Sequence, residues 1–143
     1  MTFAGDGGDN ERVTEPVSFG CDACYGADAQ AAWRHFRDGT HSDPPFVDDP
    51  HFIVRIVRCQ LCAQAFVRIF TEFVDWVGGD DPQYITIMPV TDTEAAALAN
   101  GAIPVLRAGK LGSGRRHLIS DWPSGDERRL IWATGEFLVS EGG

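Results

Sequence analysis

All four cysteines of the chain fall in two short pairs, Cys21-Asp22-Ala23-Cys24 and Cys59-Gln60-Leu61-Cys62, with 34 residues between them. Few features constrain a fold as strongly, because a site built from both pairs must bring remote stretches of chain to one point. Two residues between cysteines let both thiolates of a tight turn converge on one ion at about 2.3 Å, the Zn–S bond length. One pair supplies half of a tetrahedral site, and two pairs with no cysteine to spare supply a closed one. The expected group is one structural Zn2+ held by Cys21, Cys24, Cys59 and Cys62. Two other readings stay open. Disulfides need an oxidising compartment, whereas Met1 to Arg12 has no apolar run and no basic leader, so a cytoplasmic setting with reduced thiols is expected. A redox motif would use Val17-Ser18-Phe19 as a strand, Cys21 to Cys24 as the reactive turn and Ala27 to Arg37 as a helix, but it leaves Cys59 and Cys62 without a role.

The flanking residues carry a resemblance. The first pair is followed by Tyr25-Gly26 and the second by Ala63-Gln64-Ala65-Phe66. Both segments resemble the knuckles of zinc-ribbon domains, in which a glycine commonly follows the second cysteine so that backbone N–H groups turn toward sulfur. Here Ala63 stands where that glycine is usual, and Gly26 comes one residue late. The resemblance covers roughly a dozen residues. It implies a structural module, a hairpin with a metal at its turn, and no particular functional family.

A chain of 143 residues with 43% apolar content is enough for one domain with a substantial core, and no run approaches the roughly 18 apolar residues of a membrane span. The formal charge of −9 is uneven: ten acids face three bases in residues 1–50, six face three in 51–100, and five face six in 101–143. Such a field repels phosphate backbones and attracts basic surfaces, so the balance favours a basic protein partner over nucleic acid. Plain solubility is the bland alternative.

In chain order, residues 1–16 read as a disordered acidic leader and 17–143 as a single domain. Ala29, Ala32, Trp33 and Phe36 recur at helical spacing between an Asp28 N-cap and Gly39. Gly39 to Pro50, with Asp43-Pro44-Pro45 and Asp48-Asp49-Pro50, reads as a loop. Strands are expected from His51 to the second cysteine pair, from Phe66 to Trp76, and from Tyr84 to Val90, stopped around Pro89. The second of these is apolar on both faces and hence central. Thr91-Asp92-Thr93-Glu94 fits a capping box opening a helix that ends at Asn100-Gly101. Residues 103–114 obey no period, and Arg116 to Asp121 pairs with Leu130 to Thr134 as a second hairpin.

Several groups are candidates for chemistry or contact. Glu72, Asp75, Asp80 and Asp81 cluster near the end of the long strand, but strand parity puts Glu72 and Asp75 on opposite faces. His35, His41, His51 and His117 stand at no triad spacing. His51 as a replacement ligand would open the metal to hydrolytic chemistry. Trp122, beside a turn, fits an interface anchor, whereas Trp33, Trp76 and Trp132 lie on apolar-periodic segments and are expected in the core. Arg115, Arg116, Arg128 and Arg129 make the last hairpin basic, without aromatic interleaving in the sequence. The expected architecture is α+β: an antiparallel sheet of about five strands, two short helices and one zinc. The expected function is non-catalytic binding of a basic protein, as in bacterial inhibitor or immunity-type proteins, through Glu72, Asp75, Asp80, Asp81 and Trp122. The alternatives are a small zinc hydrolase or redox protein and a nucleic-acid-binding zinc ribbon.

Overall fold

Three consecutive strands of eight residues, β3 (Phe52–Cys59), β4 (Ala65–Glu72) and β5 (Gln83–Val90), make the centre of an antiparallel sheet that β6 (Arg116–Trp122) and β7 (Arg129–Thr134) extend. This is a computed structural model, and it describes residues 19–74, 76, 81–123 and 127–142. The expected leader, the turn at Gly78-Gly79 and the residues Asp75 and Asp80 lie outside the described residues. β4 sits between β3 and β5; it buries one face throughout and Phe66 on the other, where Arg68, Phe70 and Glu72 are half-buried.

The sheet has seven strands rather than about five. The two extra ones, β1 (Thr40–Ser42) and β2 (Val47–Asp49), are three residues long and share the outer edge of β3, pairing with its two ends. They flank Asp43-Pro44-Pro45, so the prolines occupy the gap between two short ladders and displace no hydrogen bond. Three residues are too few to show a period, which is why this stretch reads as loop.

β5 runs to Val90, the expected end, with Pro89 as its penultimate residue. β6 pairs only with residues 83–87, so Pro89 faces no ladder on that side, and its carbonyl instead accepts from Arg115 Nη1 at 3.1 Å. The capping box forms as the sequence indicates. Thr91 Oγ1 accepts from the Glu94 N–H, the Glu94 carboxylate accepts from the Thr91 N–H, and α3 (Asp92–Asn100) ends on Gly101 at φ 84°. Glu94 also takes a two-pronged contact from Arg115 at 2.7 and 2.8 Å, which holds its carboxyl below the usual range. Residues 105–112 form a 3-10 helix.

Strand parity divides the interior into two cores. One face is mainly aliphatic: Val54, Ile56, Val67, Ile69, Met88 and Val90 pack with Phe52 under Leu98 of α3 and Ala108 of the 3-10 helix, and the buried His117 stacks on Phe137, which packs against this cluster. The other carries Val57, Phe66, Ile87 and Leu118 under α2 (Ala29–Asp38) and the two cysteine pairs. Trp33 and Trp132 are half-buried against this second core, but Trp76 is 90% exposed, contrary to its expected place inside. It follows the end of β4, where the sheet no longer offers a face to cover it. Among the described residues no helix is long and apolar enough to cross a membrane.

Candidate metal centre

The first knuckle is a single helical turn, α1 (Asp22–Tyr25), whose N-cap is Cys21. The Cys21 N–H points to Cys24 Sγ at 3.2 Å, and the Cys24 N–H to the Cys21 side chain, so backbone donors face both sulfurs. Gly20 makes the approach. Its φ of 82° is left-handed, and a Cβ there would run into Cys24 Sγ. The second knuckle is the β3–β4 turn. Cys59 closes β3 and its carbonyl accepts from the Ala63 N–H at 2.9 Å, while its N–H donates to the Gln64 carbonyl at 3.0 Å.

These two turns bring the four sulfurs together. Cys21 Sγ lies 3.8 Å from Cys24 Sγ and 3.9 Å from Cys59 Sγ, and Cys24 Sγ lies 3.7 Å from Cys62 Sγ. All four ligand atoms fall within 4.8 Å of one another. Bonds of about 2.3 Å from a central ion to four tetrahedral sulfurs imply edges of roughly 3.8 Å, so the spacing fits one metal ion. A disulfide requires about 2.05 Å, and all four cysteines are free. The donor set fits too. Backbone N–H groups, led by that of Cys24, draw the Cys21 thiol down to about 7, whereas burial raises Cys24 and Cys62. A bound cation must therefore drive protons off the latter two.

One contributor escaped the sequence reading. His35, in the last turn of α2, places Nε2 3.1 Å from Cys59 Sγ. Its ring packs over Gly39, where any Cβ would collide with it. The available signal was that His35 lies three residues from the buried Ala32 and next to the core residue Phe36, on the helix side that meets the second knuckle. The Gln60 N–H also donates to the Gly39 carbonyl at 3.0 Å, tying that knuckle to the end of α2. Tyr25 fastens the first knuckle to β6: its hydroxyl donates to the Arg116 carbonyl at 2.7 Å and its ring meets Trp132 edge-on at 5.3 Å.

The other sequence candidates lie elsewhere. His51 is not a ligand. It precedes β3 at the end remote from Cys59, eight extended residues or roughly 26 Å away, and its Nδ1 faces Glu72 Oε1 at 3.2 Å. Glu72 also accepts from Gln83 Nε2 at 2.9 Å and is 19% exposed, so its carboxylate is held by neighbours. Glu72, Gln83 and Trp122 share one row across β4, β5 and β6. Asp81 is exposed. Trp122 is 46% exposed and stacks on the Arg128 guanidinium at 4.6 Å. The last hairpin does interleave cations with rings in space: Arg116 lies 4.2 Å from the Tyr25 ring and 4.1 Å from that of Trp132, and Arg128 lies 5.1 Å from Trp33. The rings come from α1, α2 and β7, which is why adjacency in sequence does not reveal them. No family model matches the chain, and no curated protein or solved structure matches it.

Proposed function

We propose that the four thiolates hold one structural Zn2+ and that the chain is a non-catalytic binding domain for a basic protein, of the kind that bacterial inhibitor or immunity-type proteins represent. The observation that carries the metal reading is the set of sulfur separations of 3.7 to 3.9 Å between donors that are all cysteine. Structural zinc sites are closed in this way, whereas catalytic ones keep a position for water. Metal analysis of protein purified without chelators, with X-ray absorption at the metal edge, tests it. Four sulfurs around zinc are expected, and a nitrogen or oxygen ligand at about 2.0 Å would overturn the closed site.

The partner reading is supported by 21 acids against 12 bases and by the exposed Trp122 ring. Within it, Glu72, Asp75, Asp80 and Asp81 contribute field and Trp122 contributes contact, so charge sets the on-rate and the ring the off-rate. Affinity capture from the native host followed by kinetics at rising salt checks this. Association slows markedly toward about 0.5 M salt if screening acts on steering. An acidic partner, or rates indifferent to salt, would return the acidity to a role in solubility.

A further inference from the structure

The metal-side face of the sheet holds a pair of cations that no described residue neutralises. Arg55 of β3 and Arg68 of β4 are directly opposite in the ladder and point to the same face. Like charges so placed repel. Neither side chain makes a hydrogen bond or an ion pair with any described residue, and Arg55 Nε is buried without a partner. Burial first, and then the Arg55 charge, push the Arg68 guanidinium below its usual range. The contrast with the other arginines is informative. Arg37 holds Asp38, Arg58 holds Asp92, Arg115 holds Glu94 and Arg129 holds Asp121, all at 2.7 to 2.9 Å. In a chain with nearly twice as many acids as bases, the two arginines at the centre of the sheet, like the exposed Arg34, Arg107 and Arg128, have no carboxylate partner among the described residues.

Arg68 lines a groove of about 200 Å3, walled by Trp33, Phe36 and Arg37 of α2, floored by Ile87 and closed at one side by Arg128. Arg128 is itself held over the rings of Trp33 and Trp122 at 5.1 and 4.6 Å. The groove thus combines guanidinium groups with an aromatic wall. Arg68 is half-buried; leaving a cation partly desolvated and unpaired is unfavourable, and guanidinium forks match the oxygens of phosphates and carboxylates. The volume is below the roughly 300–1,000 Å3 of drug-sized pockets, which selects a small ligand.

We propose that this groove is a binding site for a small oxyanion, a phosphate ester or carboxylate, carried on an aromatic ring, with Arg68 and Arg128 on the anion and Trp33 and Phe36 on the ring. The site adjoins the partner-facing Trp122, which stacks on Arg128, and shares α2 with the metal centre, but none of the four cysteines lines it. Arg68 is thereby kept for the ligand and at the expense of the free protein's stability.

The test uses the metal-loaded full chain, titrated with phenyl phosphate, benzoate and inorganic phosphate, each against sodium chloride at equal ionic strength. Tryptophan fluorescence and thermal denaturation are the readouts. Phenyl phosphate or benzoate is expected to saturate the fluorescence change and raise Tm, with inorganic phosphate about tenfold weaker because it lacks the ring; which of the two binds tighter assigns phosphate or carboxylate. Arg68→Met should raise the Tm of the unliganded protein and abolish the ligand response. Exposed Arg128→Ala, which leaves the core intact, should weaken binding about tenfold. No saturable response to any of the three anions, or a response that persists in Arg68→Met, would overturn the proposal.

Discussion

The two faces of the sheet solve the same burial problem differently. The face under α3 is closed mainly by hydrocarbon: Val54, Val67, Met88, Val90 and Leu98 are each at most 1% exposed, and these side chains are packed by the chain itself, with the buried His117 against Phe137 as the polar exception. The face under α2 is closed by a mixture. Phe36 meets Phe66 edge-on at 4.9 Å and Tyr25 meets Trp132, but the elements that bring Tyr25 and Phe36 there, α1 and α2, are anchored through the four sulfurs and His35. Helices of four and ten residues are marginal in water without tertiary support. One face is therefore self-sufficient, and the lid of the other depends on a four-cysteine site placed to hold one ion. The dependent face is also the one with unpaired arginines and exposed Trp122, so adaptable surface and metal clamp occur together.

Removing the metal should break the comparison most visibly. Chelation, or Cys59→Ser, is expected to release α1 and α2, with amide exchange in residues 20–38 rising by orders of magnitude while β4 and β5 keep partial protection. Structural zinc in finger peptides is worth roughly 10–16 kcal/mol, comparable to the whole stability of a domain, so global unfolding is the limiting outcome. Equal loss of protection on both faces would show that the hydrocarbon face is not self-sufficient. The reciprocal experiment has a smaller effect. Leu98→Ala, which empties a site 1% exposed, should cost about 2–5 kcal/mol in denaturant unfolding and leave the metal stoichiometry unchanged.

His35→Gln probes the clamp itself. Partners that orient metal ligands typically carry 10–100-fold of affinity, so competition with a chelator should show metal affinity falling by about that factor, roughly 1.4–2.7 kcal/mol. Unchanged affinity would make the 3.1 Å contact with Cys59 Sγ incidental packing.

The self-sufficient face was the more legible one. Alternation along β3 and β4 and the Thr91–Glu94 box are local signals that put its elements where they stand; on the other face the Asp28 cap did the same for α2 alone. The four cysteines announced themselves by spacing, and the structure gathers them. What sequence could not show depends on neighbours supplied by register: the His35 contact, the Arg55–Arg68 pair, and the rings around Arg116 and Arg128. The strands β1 and β2 were invisible for a related reason, since only the exposed edge of β3 makes strands of those residues. Trp76 failed in the opposite direction. Its parity placed it on an apolar face, but the ladder ends at Glu72 before it can be covered.

The finest contrast is between the knuckles. The first enters through a glycine, Gly20, at φ 82°; the second turns through Ala63 at φ 65°, where zinc-ribbon knuckles usually have glycine. An L-residue in the left-handed region costs about 1–2 kcal/mol. Glycine would relieve that strain, while its greater freedom in the unfolded chain returns about 0.4–1 kcal/mol. Ala63 is exposed, so its methyl adds little packing to lose. Ala63→Gly should then stabilise the metal-loaded protein by about 0.5–1 kcal/mol, a rise in Tm of roughly 2–4 °C. Since the turn's hydrogen bonds from Ala63 N–H to Cys59 and from Cys59 N–H to Gln64 need no side chain, they should survive the change. Denaturation with and without chelator locates the strain: a gain only with metal bound means that the ion holds Ala63 left-handed, and a gain in both states means that the β3–β4 hairpin does so unaided. A destabilised variant would mean that the unfolded-state term outweighs the strain, and that this knuckle is no more strained than the first.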